Sequence, residues 1–381
     1  MKLNWNSKHK KFILAALCIS VLCAYGIILR GETASAAEQT ASDNTWSESA
    51  EATEPELNMA KVTLDTTSIT GYLVPSYTYG SAVYYANAEA DITVNSPTVL
   101  DEKNGIRLSC KSSNKNVSAS ASLSDNILHL RLYADKKCST KLTVTIEGKK
   151  FQIKASLKPV KLSASSLLLV KGKTKKLKIS GCSKGIQWSS SNKKIATISQ
   201  KGVVKGKKVG NTIITAKING KPIGCAVSVT TSQLKKVCER ATYIGNHWTY
   251  SQAKRTQPGY YDCSSLVWKA YKECAGFTFG NASYPGTSAS ESAWCRANNR
   301  MIKGGYTNKK LQKMQLNPGD LIFKSSDLRN PYNTTYHVEM FTGYTCLGYD
   351  SQGKPVIAAL WASRNSGYSV ANGSLLARPL R

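Results

Sequence analysis

The chain has 381 residues, which is enough for two or three domains that each bury a core of their own. Its 52 basic and 23 acidic side chains give a formal net charge of +29, which favours polyanionic partners. The 11 cysteines are too dispersed for a small disulfide scaffold, and no Cys-x-x-Cys pair indicates a zinc site. We therefore expect a multidomain protein that uses no metal and no cofactor.

The first segment is typical of an export signal. Basic residues precede an uncharged apolar run from Phe12 to Leu29, and Ala34-Ser-Ala36 follows as a small-residue cleavage site. The run also approaches the ~20 residues that span a bilayer, so residues 1–36 are predicted to be either a cleaved signal peptide or an N-terminal membrane anchor. In both cases the rest of the chain is expected outside the membrane, secreted or associated with a cell wall. Residues 37–60, rich in Ser, Thr, Ala and Glu, predict an acidic flexible linker.

The next part of the chain has a β pattern with an internal echo. Short runs rich in β-branched residues, such as Leu142-Thr-Val-Thr-Ile146, alternate with turns of Gly, Asn and Ser. The block Ser112-Ser-Asn-Lys-Asn-Val117 returns as Ser190-Ser-Asn-Lys-Lys-Ile195, and a similar strand pattern follows each copy. This repetition predicts two β-sandwich domains in tandem, residues 61–158 and 159–231.

The second copy carries a specific pattern. The blocks Trp188-Ser-Ser-Ser-Asn192, Ile195-Ala-Thr-Ile-Ser199 and Gly202-Val-Val-Lys-Gly206 occur in this order, and they resemble the bacterial immunoglobulin-like (Ig-like) domain of intimins and invasins. Residues 159–231 are therefore expected to form such a domain. Residues 61–158 lack the tryptophan block and are expected to be a degenerate relative.

Four cysteines of the β region form two candidate pairs, one within each predicted sandwich. Cys110 with Cys138, and Cys182 with Cys225, are either disulfides or buried free thiols, and the sequence leaves both alternatives open.

The second predicted sandwich is also unusually basic. From Lys158 to Lys221 there are sixteen lysines and no Asp or Glu. One interpretation is a solvated surface that keeps strand edges from aggregating, and the other is electrostatic attachment to anionic wall polymers such as teichoic acid. Nucleic acid is disfavoured as a partner, because an exported chain rarely meets it and no arginines or stacking aromatics are interleaved with these lysines.

A cysteine at the predicted start of a helix is the first candidate for chemistry. Asp262 is a good N-cap residue, which places Cys263 in the first turn. Free N–H groups and the positive end of the helix dipole stabilise a thiolate there, although a helical cysteine more often packs in a core. The periodicity predicts a buried apolar face and an opposite, exposed face that carries Lys269, Lys272 and Glu273.

Three histidines beyond the export signal are candidates for a base: His129, His247 and His337. His129 falls within a strand pattern and His247 within a turn, so we expect structural or surface roles for both. His337 lies at the start of an alternating strand.

Three blocks in this last part of the chain identify a family. Tyr261-Asp-Cys-Ser264, Gly319-Asp-Leu-Ile-Phe323 and His337-Val-x-x-x-x-Gly343 resemble, in type and order, the NlpC-type cell-wall cysteine peptidases. The resemblance covers residues 232–381 and implies an α+β, papain-like domain without a cofactor. It implies that Cys263 attacks the substrate, that His337 carries the proton and that Tyr250 helps to stabilise the oxyanion, unless Tyr250 is simply a core aromatic.

The same resemblance implies a substrate. Asp262 and Ser264 match residues that bind the free amino end of a peptidoglycan stem peptide, and the bond cleaved is a γ-D-glutamyl–diamino acid bond. The sequence thus predicts a secreted peptidoglycan hydrolase. Two alternatives stay open: amidase chemistry on the same dyad, and a wall-binding protein or adhesin with a decayed peptidase domain.

The third catalytic position is unassigned. The family commonly has a His on the strand after the base, just before an Ala or Ser, and the alignment puts Trp361 at that place. A Trp cannot accept a hydrogen bond from an imidazole N–H. A backbone carbonyl, a water molecule or a side chain such as Asn365 are the alternatives for orienting His337.

Overall fold

The structure is a computed structural model that describes residues 57–77, 84–362 and 373–380. The predicted signal or anchor segment, residues 1–36, and most of the predicted linker lie outside these residues. The described part falls within one compact unit, Pro55–Arg381. Within it, every helix is too short or too polar to cross a membrane.

The first β region forms two packed layers that share one long strand. Its strands are β1 (Thr63–Leu64), β2 (Ser68–Tyr77), β3 (Tyr84–Asn95), β4 (Leu108–Ser112), β5 (Ser118–Ser124), β6 (Ile127–Tyr133), β7 (Cys138–Ile146) and β8 (Lys149–Pro159), with 3-10 turns at Met59–Lys61 and Glu102–Asn104. The first half of β2 pairs in parallel with β8 and its second half pairs antiparallel with β3, so β2 passes from the layer β4-β7-β8 to the layer β3-β6-β5. Side chains along each strand point alternately into the core between the layers and away from it. In β6, Leu128, Leu130 and Leu132 are buried, while the side chains between them are half-buried or exposed.

The second β region is a sandwich of shorter strands. They are β9 (Lys161–Leu162), β10 (Ser166–Val170), β11 (Thr174–Lys176), β12 (Ile179–Ser180), β13 (Ile186–Ser190), β14 (Ala196–Ile198), β15 (Val203–Gly206), β16 (Gly210–Ile218) and β17 (Lys221–Thr230). The main sheets have the orders β10-β17-β16-β13 and β11-β15-β14. Gly202 has a φ of +77°, and a Cβ there would lie 2.5 Å from the Leu177 carbonyl oxygen and 3.3 Å from the Trp188 ring, so this turn requires glycine.

The region after Thr231 is α+β. Its helices are α1 (Ser232–His247), α2 (Cys263–Ala275), α3 (Ser288–Ala297) and α4 (Asn308–Gln312), and its strands are β18 (Thr249–Tyr250), β19 (Tyr260–Tyr261), β20 (Leu321–Ser325), β21 (Thr335–Tyr349), β22 (Pro355–Trp361) and β23 (Leu375–Ala377). The last four strands form an antiparallel sheet of order β22-β21-β20-β23. Helix α2 packs against both α1 and β21, which brings its first turn to the sheet.

The two faces of α2 are largely as expected, with one exception. Leu266, Val267 and Tyr271 are buried, as the periodicity predicts. The expected exposure of Lys269 is wrong, because its side chain is buried. Its Nζ donates to the backbone carbonyls of Arg255 and Tyr260, each at 2.6 Å, so the buried ammonium is satisfied by the loop that precedes the helix.

The second sandwich and the α+β region share an apolar core. Ile213 and Ala226 of the sandwich are buried in one cluster with Phe341 and Tyr344 of β21. At Gly224 of β17, a Cβ would lie 2.8 Å from the Cys346 sulfur, so the two surfaces approach closely there. Apolar burial of this kind holds the two regions in a fixed arrangement.

Polar contacts reinforce this junction. The Asn211 side-chain amide donates to the carbonyl oxygens of Met314 at 2.9 Å and Leu316 at 2.7 Å. The Thr215 hydroxyl lies 2.6 Å from the Tyr349 hydroxyl. Because Asn211 satisfies two carbonyls of a loop that has no regular structure, it fixes the loop that leads into β20.

All the cysteines in the described part of the chain are free thiols. The sequence left open whether Cys110 with Cys138, and Cys182 with Cys225, form disulfides or stay free. In the structure all four are free thiols. In the β4–β7 ladder, Cys110 stands opposite Val144 rather than opposite Cys138.

Candidate active site

Cys263 is the first residue of α2, and Asp262 is its N-cap, as predicted. Asp262 Oδ1 accepts from the Ser265 backbone N–H at 2.7 Å, and Ser265 Oγ accepts from the Asp262 backbone N–H at 2.8 Å. This reciprocal pair is a capping box, and it fixes the direction in which the chain enters the helix. Ser265 stands where the NlpC-type pattern often has glycine. The thiol is therefore held at the positive end of a well-capped helix.

His337 lies on β21 beside this thiol. Its ring is hydrogen-bonded to Cys263, and its side chain is 14% exposed. Burial alone would lower the pKa of His337, but hydrogen bonds with Cys263 and Glu339 outweigh it and raise the pKa to about 9. The imidazole is therefore protonated at neutral pH, and it places a cationic donor beside the Cys263 sulfur.

Glu339 contacts the same imidazole, and the sequence analysis missed it. His337 Nε2 lies 3.3 Å from Glu339 Oε1, and the Glu339 side chain is 4% exposed. Side chains two residues apart on a strand point to the same face, so the spacing of His337 and Glu339 was the available signal. Glu339 therefore contacts the imidazole from the same strand, two residues further along the chain.

A buried lysine keeps this carboxylate ionised. Lys324 of β20 is opposite His337 in the ladder, and its Nζ lies 2.9 Å from Glu339 Oε1. Burial would raise the pKa of Glu339, but the hydrogen bonds from His337 and Lys324 more than offset it, and the pKa lies below its ordinary value. The carboxylate is therefore shared by two cations, one of which is the candidate base.

The alignment that put Trp361 at the third catalytic position is wrong in register. Trp361 pairs with Phe341 in the β21–β22 ladder, and their ring centroids are 5.7 Å apart. Phe341 lies four residues beyond His337 along β21, so Trp361 packs in the core away from the imidazole. Asn365, the side chain that we considered for this position, lies outside the described residues.

Tyr250 is beside the nucleophile rather than in the core. Strand β18 pairs in parallel with β19, which places the Tyr250 ring edge-on to Tyr261 at 5.5 Å. The Tyr250 side chain is exposed, and its hydroxyl accepts a hydrogen bond from the Cys263 backbone N–H. Burial, followed by the nearby Cys263 and Asp262, raises the pKa of Tyr250, so the hydroxyl stays protonated. A neutral hydroxyl next to the thiol can donate to an oxyanion.

Asp262 and Ser264, which were expected to bind the substrate amine, are buried and already occupied. The Arg255 Nε lies 2.9 Å from Asp262 Oδ2, and the Arg255 Nη2 donates to Ser264 Oγ at 2.9 Å. Their predicted role in substrate binding stays a prediction, since a guanidinium of the same chain holds both side chains.

The other histidines have no thiol partner among the described residues. His129 bridges Asp91 and Ser124 on the first β region, with distances of 2.8 Å and 3.1 Å. Asp91 is 68% exposed, and such surface pairs contribute little to stability. His247 stacks on Tyr243 at a centroid distance of 4.4 Å. Of the three candidates, the described structure brings His337 alone to Cys263.

Comparison with known sequences identifies one part of the chain. Residues 156–220 match the sequence model of the bacterial Ig-like domain (group 2). The second sandwich is a bacterial Ig-like domain. The prediction that the chain contains an Ig-like domain of this kind is confirmed, and the chain as a whole is multidomain with a large β-sandwich part. None of the curated protein sequences matches the chain.

Three solved structures align with the chain at low similarity. Invasin, a bacterial integrin-binding protein, aligns at 14% identity and a TM-score of 0.26 over 44% of this chain and 38% of its own. A C-terminal fragment of intimin aligns at 10% identity and a TM-score of 0.25, over 81% of this chain and 97% of the fragment. The Escherichia coli adhesin FdeC aligns at 12% identity and a TM-score of 0.19, over 47% and 66% of the two chains. TM-scores below 0.5 do not establish a shared overall fold.

Proposed function

We propose that the chain is a cysteine peptidase that hydrolyses peptidoglycan stem peptides at a γ-D-glutamyl–diamino acid bond. The observation that carries the proposal is the contact of Cys263 with His337 at the start of α2, with Glu339 on the same imidazole. A nucleophile, a base and a group that orients the base are the parts that thiol peptidase chemistry requires. The bond and the substrate class come from the resemblance to NlpC-type peptidases.

Each part has a defined step in the reaction. The Cys263 sulfur attacks the carbonyl carbon, and the oxyanion that forms faces the Tyr250 hydroxyl and the N–H groups at the start of α2. Protonated His337 gives its proton to the leaving amine, which breaks the C–N bond and leaves a thioester on Cys263. Water then attacks the thioester and gives one proton to His337, the C–S bond breaks, the carboxylic acid product leaves, and the Cys263 sulfur is released for the next cycle.

The Ig-like domain supports a location at the cell wall. Fourteen of the sixteen lysines from Lys158 to Lys221 are exposed. The other two, Lys158 and Lys221, are half-buried. A dense cationic surface attracts anionic wall polymers at low ionic strength. Bacterial Ig-like domains are typical of surface and secreted proteins, and this agrees with the predicted export signal.

Cleavage by the full chain tests the proposal. We expect the wild-type protein to release stem-peptide fragments from purified peptidoglycan, and Cys263→Ala to release none. Cys274→Ala is the matched control, because Cys274 is a half-buried thiol eleven residues further along the same helix, and this variant should keep the wild-type rate. Full activity of Cys263→Ala refutes the assignment. Mass spectrometry of the fragments separates γ-D-glutamyl cleavage from amidase chemistry.

A second candidate is a wall-binding protein or adhesin whose α+β region is inactive. The match of residues 156–220 to the bacterial Ig-like domain favours it. In that case the wild-type protein and Cys263→Ala both bind insoluble cell walls, salt releases them, and neither one cleaves. Cleavage that depends on Cys263 excludes this candidate as the whole function.

A further inference from the structure

The carboxylate that is expected to receive a substrate amine already has a protein nitrogen close to each of its oxygens. Asp262 Oδ1 accepts from the Ser265 backbone N–H at 2.7 Å, and Oδ2 lies 2.9 Å from the Arg255 Nε. The Asp262 side chain is 8% exposed, so little of it faces solvent. Ser264 Oγ, the second predicted contact, accepts from the Arg255 Nη2. A cation of the chain itself therefore occupies the place of a substrate ammonium.

The position of Arg255 is fixed by contacts on both sides. Its Nη2 also donates to the Gly286 carbonyl, and its own carbonyl accepts from the buried ammonium of Lys269 at 2.6 Å. Lys269 also holds the Tyr260 carbonyl, so the loop from Arg255 to Tyr260 is tied to α2 at both ends. The guanidinium is therefore a built part of the site.

The surrounding charges do not restore a negative pocket. Glu291 of α3 is the other carboxyl group close to Cys263 and Asp262, and it is fully buried. Burial, followed by the charges of Cys263 and Asp262, raises the pKa of Glu291 well above its ordinary value, and no part of its side chain reaches solvent. The ion pair of Arg255 with Asp262 is also neutral overall. An incoming ammonium finds no unmatched carboxylate here and meets a guanidinium instead.

We propose that Arg255 determines the substrate class: this site takes stem peptides whose amino end is acylated and discriminates against a free α-ammonium. An acylated end carries no charge and presents a carbonyl oxygen, which a guanidinium can bind. The Arg255 side chain is 21% exposed, and it contacts both residues that flank Cys263, Asp262 and Ser264. Stem peptides still attached to glycan are acylated in this way. This inference rests on the proposed function and changes the substrate that the family resemblance implies.

Two matched peptides test the inference. They are L-alanyl-γ-D-glutamyl-diaminopimelate and its N-acetyl derivative, and kcat/KM is measured for both with the full chain. We expect the wild-type protein to prefer the acetylated peptide by at least about tenfold, since one uncompensated charge contact is worth this factor or more. Arg255→Gln, which frees Asp262, should lose or reverse the preference. Arg255→Lys, which keeps the charge, should retain its direction.

Lys254→Gln is the control for a general loss of positive charge. Lys254 is the exposed neighbour of Arg255, and its ammonium lies over the Tyr260 ring at 5.0 Å, away from Asp262. The ratio of the two kcat/KM values should not change in this variant.

The outcomes separate this inference from the proposed function. A wild-type protein that prefers the free amine, or an Arg255→Gln variant that keeps the wild-type ratio, overturns the role of Arg255 while leaving a Cys263-dependent peptidase intact. Failure of the wild-type protein to cleave either peptide or whole peptidoglycan overturns both. If Arg255→Gln does not fold, the wild-type ratio alone decides.

Discussion

The Ig-like domain and the α+β region bury different kinds of side chain. In the described residues of the Ig-like domain, the buried polar side chains are neutral: Asn211, Thr212, Ser228 and Thr230. The α+β region buries six charged residues in its described part: Asp262, Lys269, Glu291, Asp320, Lys324 and Glu339. Both regions have apolar cores of the usual composition, so the contrast lies in the titratable groups.

This contrast agrees with the place of the proposed active site. Removing an ionisable group from water costs several kcal/mol unless it is paired or changes its protonation state. Three of the six buried groups, Asp262, Glu291 and Glu339, lie within electrostatic or hydrogen-bonding reach of Cys263 or His337. Perturbed titratable groups concentrate at functional sites, whereas the Ig-like domain keeps its charges on the surface.

Glu339→Ala should give the largest effect, because it removes the carboxylate from a buried ion pair. Losing one partner of such a pair destabilises a protein by about 3–5 kcal/mol, and kcat/KM should fall by about 10²-fold or more as His337 loses its orientation. Denaturant unfolding and peptide cleavage measure the two effects. Glu291→Gln is the control, since burial raises the pKa of Glu291 and its carboxyl oxygens have no hydrogen-bond partner among the described residues, and it should change stability by less than about 1 kcal/mol. Equal losses of stability in Glu339→Ala and Glu291→Gln would show that the ion pair of Glu339 has no special role.

The pH dependence of cleavage sharpens the role of the same carboxylate. Burial opposes protonation of His337, but its bonds to Cys263 and Glu339 raise the pKa to about 9, so activity should fall as the pH rises through about 9 and the ring loses its proton. Glu339→Gln removes an anion that stabilises the imidazolium, so the alkaline limb should move to lower pH. A profile of kcat/KM between pH 6 and 11 measures the alkaline limb in the wild-type protein and in the variant. An alkaline limb at the same pH in both proteins would contradict the contact of Glu339 with His337.

A smaller effect is expected at the junction of the two regions. Asn211→Ala removes both donors to the Met314 and Leu316 carbonyls and should lower the free energy of unfolding by about 1–3 kcal/mol. Because the regions share a core, one cooperative thermal transition should shift as a whole. Gln187→Ala, at an exposed position of β13, should change stability by less than about 0.5 kcal/mol. Two separate transitions in the wild-type protein would show that the regions fold independently.

The smallest effect on stability is expected on the lysine-rich surface. Lys175→Gln with Lys176→Gln alters two exposed residues of β11 and should change the free energy of unfolding by less than about 0.5 kcal/mol. Sedimentation with insoluble walls at low salt should nevertheless detect weaker binding, because each charge adds to the attraction. Unchanged binding would favour the interpretation of these lysines as a solvated surface.

The sequence predicts the elements whose signals are local. The Asp262 cap, the apolar face of α2 and the Ig-like pattern around Trp188 each depend on neighbours in the chain, and the structure has all three. Trp361 and Lys269 were predicted wrongly for long-range reasons. The partner of Trp361 is set by the β21–β22 register, and Lys269 is buried because carbonyls of a preceding loop surround its ammonium.

The candidate site was predictable in part. Cys263, His337 and Tyr250 follow from motifs, and the structure brings them together. Glu339 could have been predicted, because side chains two residues apart on a strand point to the same face. Nothing in the local sequence indicates that Lys324 of the neighbouring strand contacts it. Arg255 could not be anticipated, because its contacts with Asp262 and Ser264 depend on how the loop before α2 closes.

The rate at which Cys263 is alkylated is the sharpest test of the proposed pair of Cys263 and His337. Iodoacetamide at pH 7 should modify Cys263 far faster than Cys274 in the full chain, because Cys263 lies at a helix start beside a protonated His337, whereas burial and then the charge of Glu273 raise the pKa of Cys274. His337→Ala should abolish the difference. Equal rates for Cys263 and Cys274 in the wild-type protein would contradict the account.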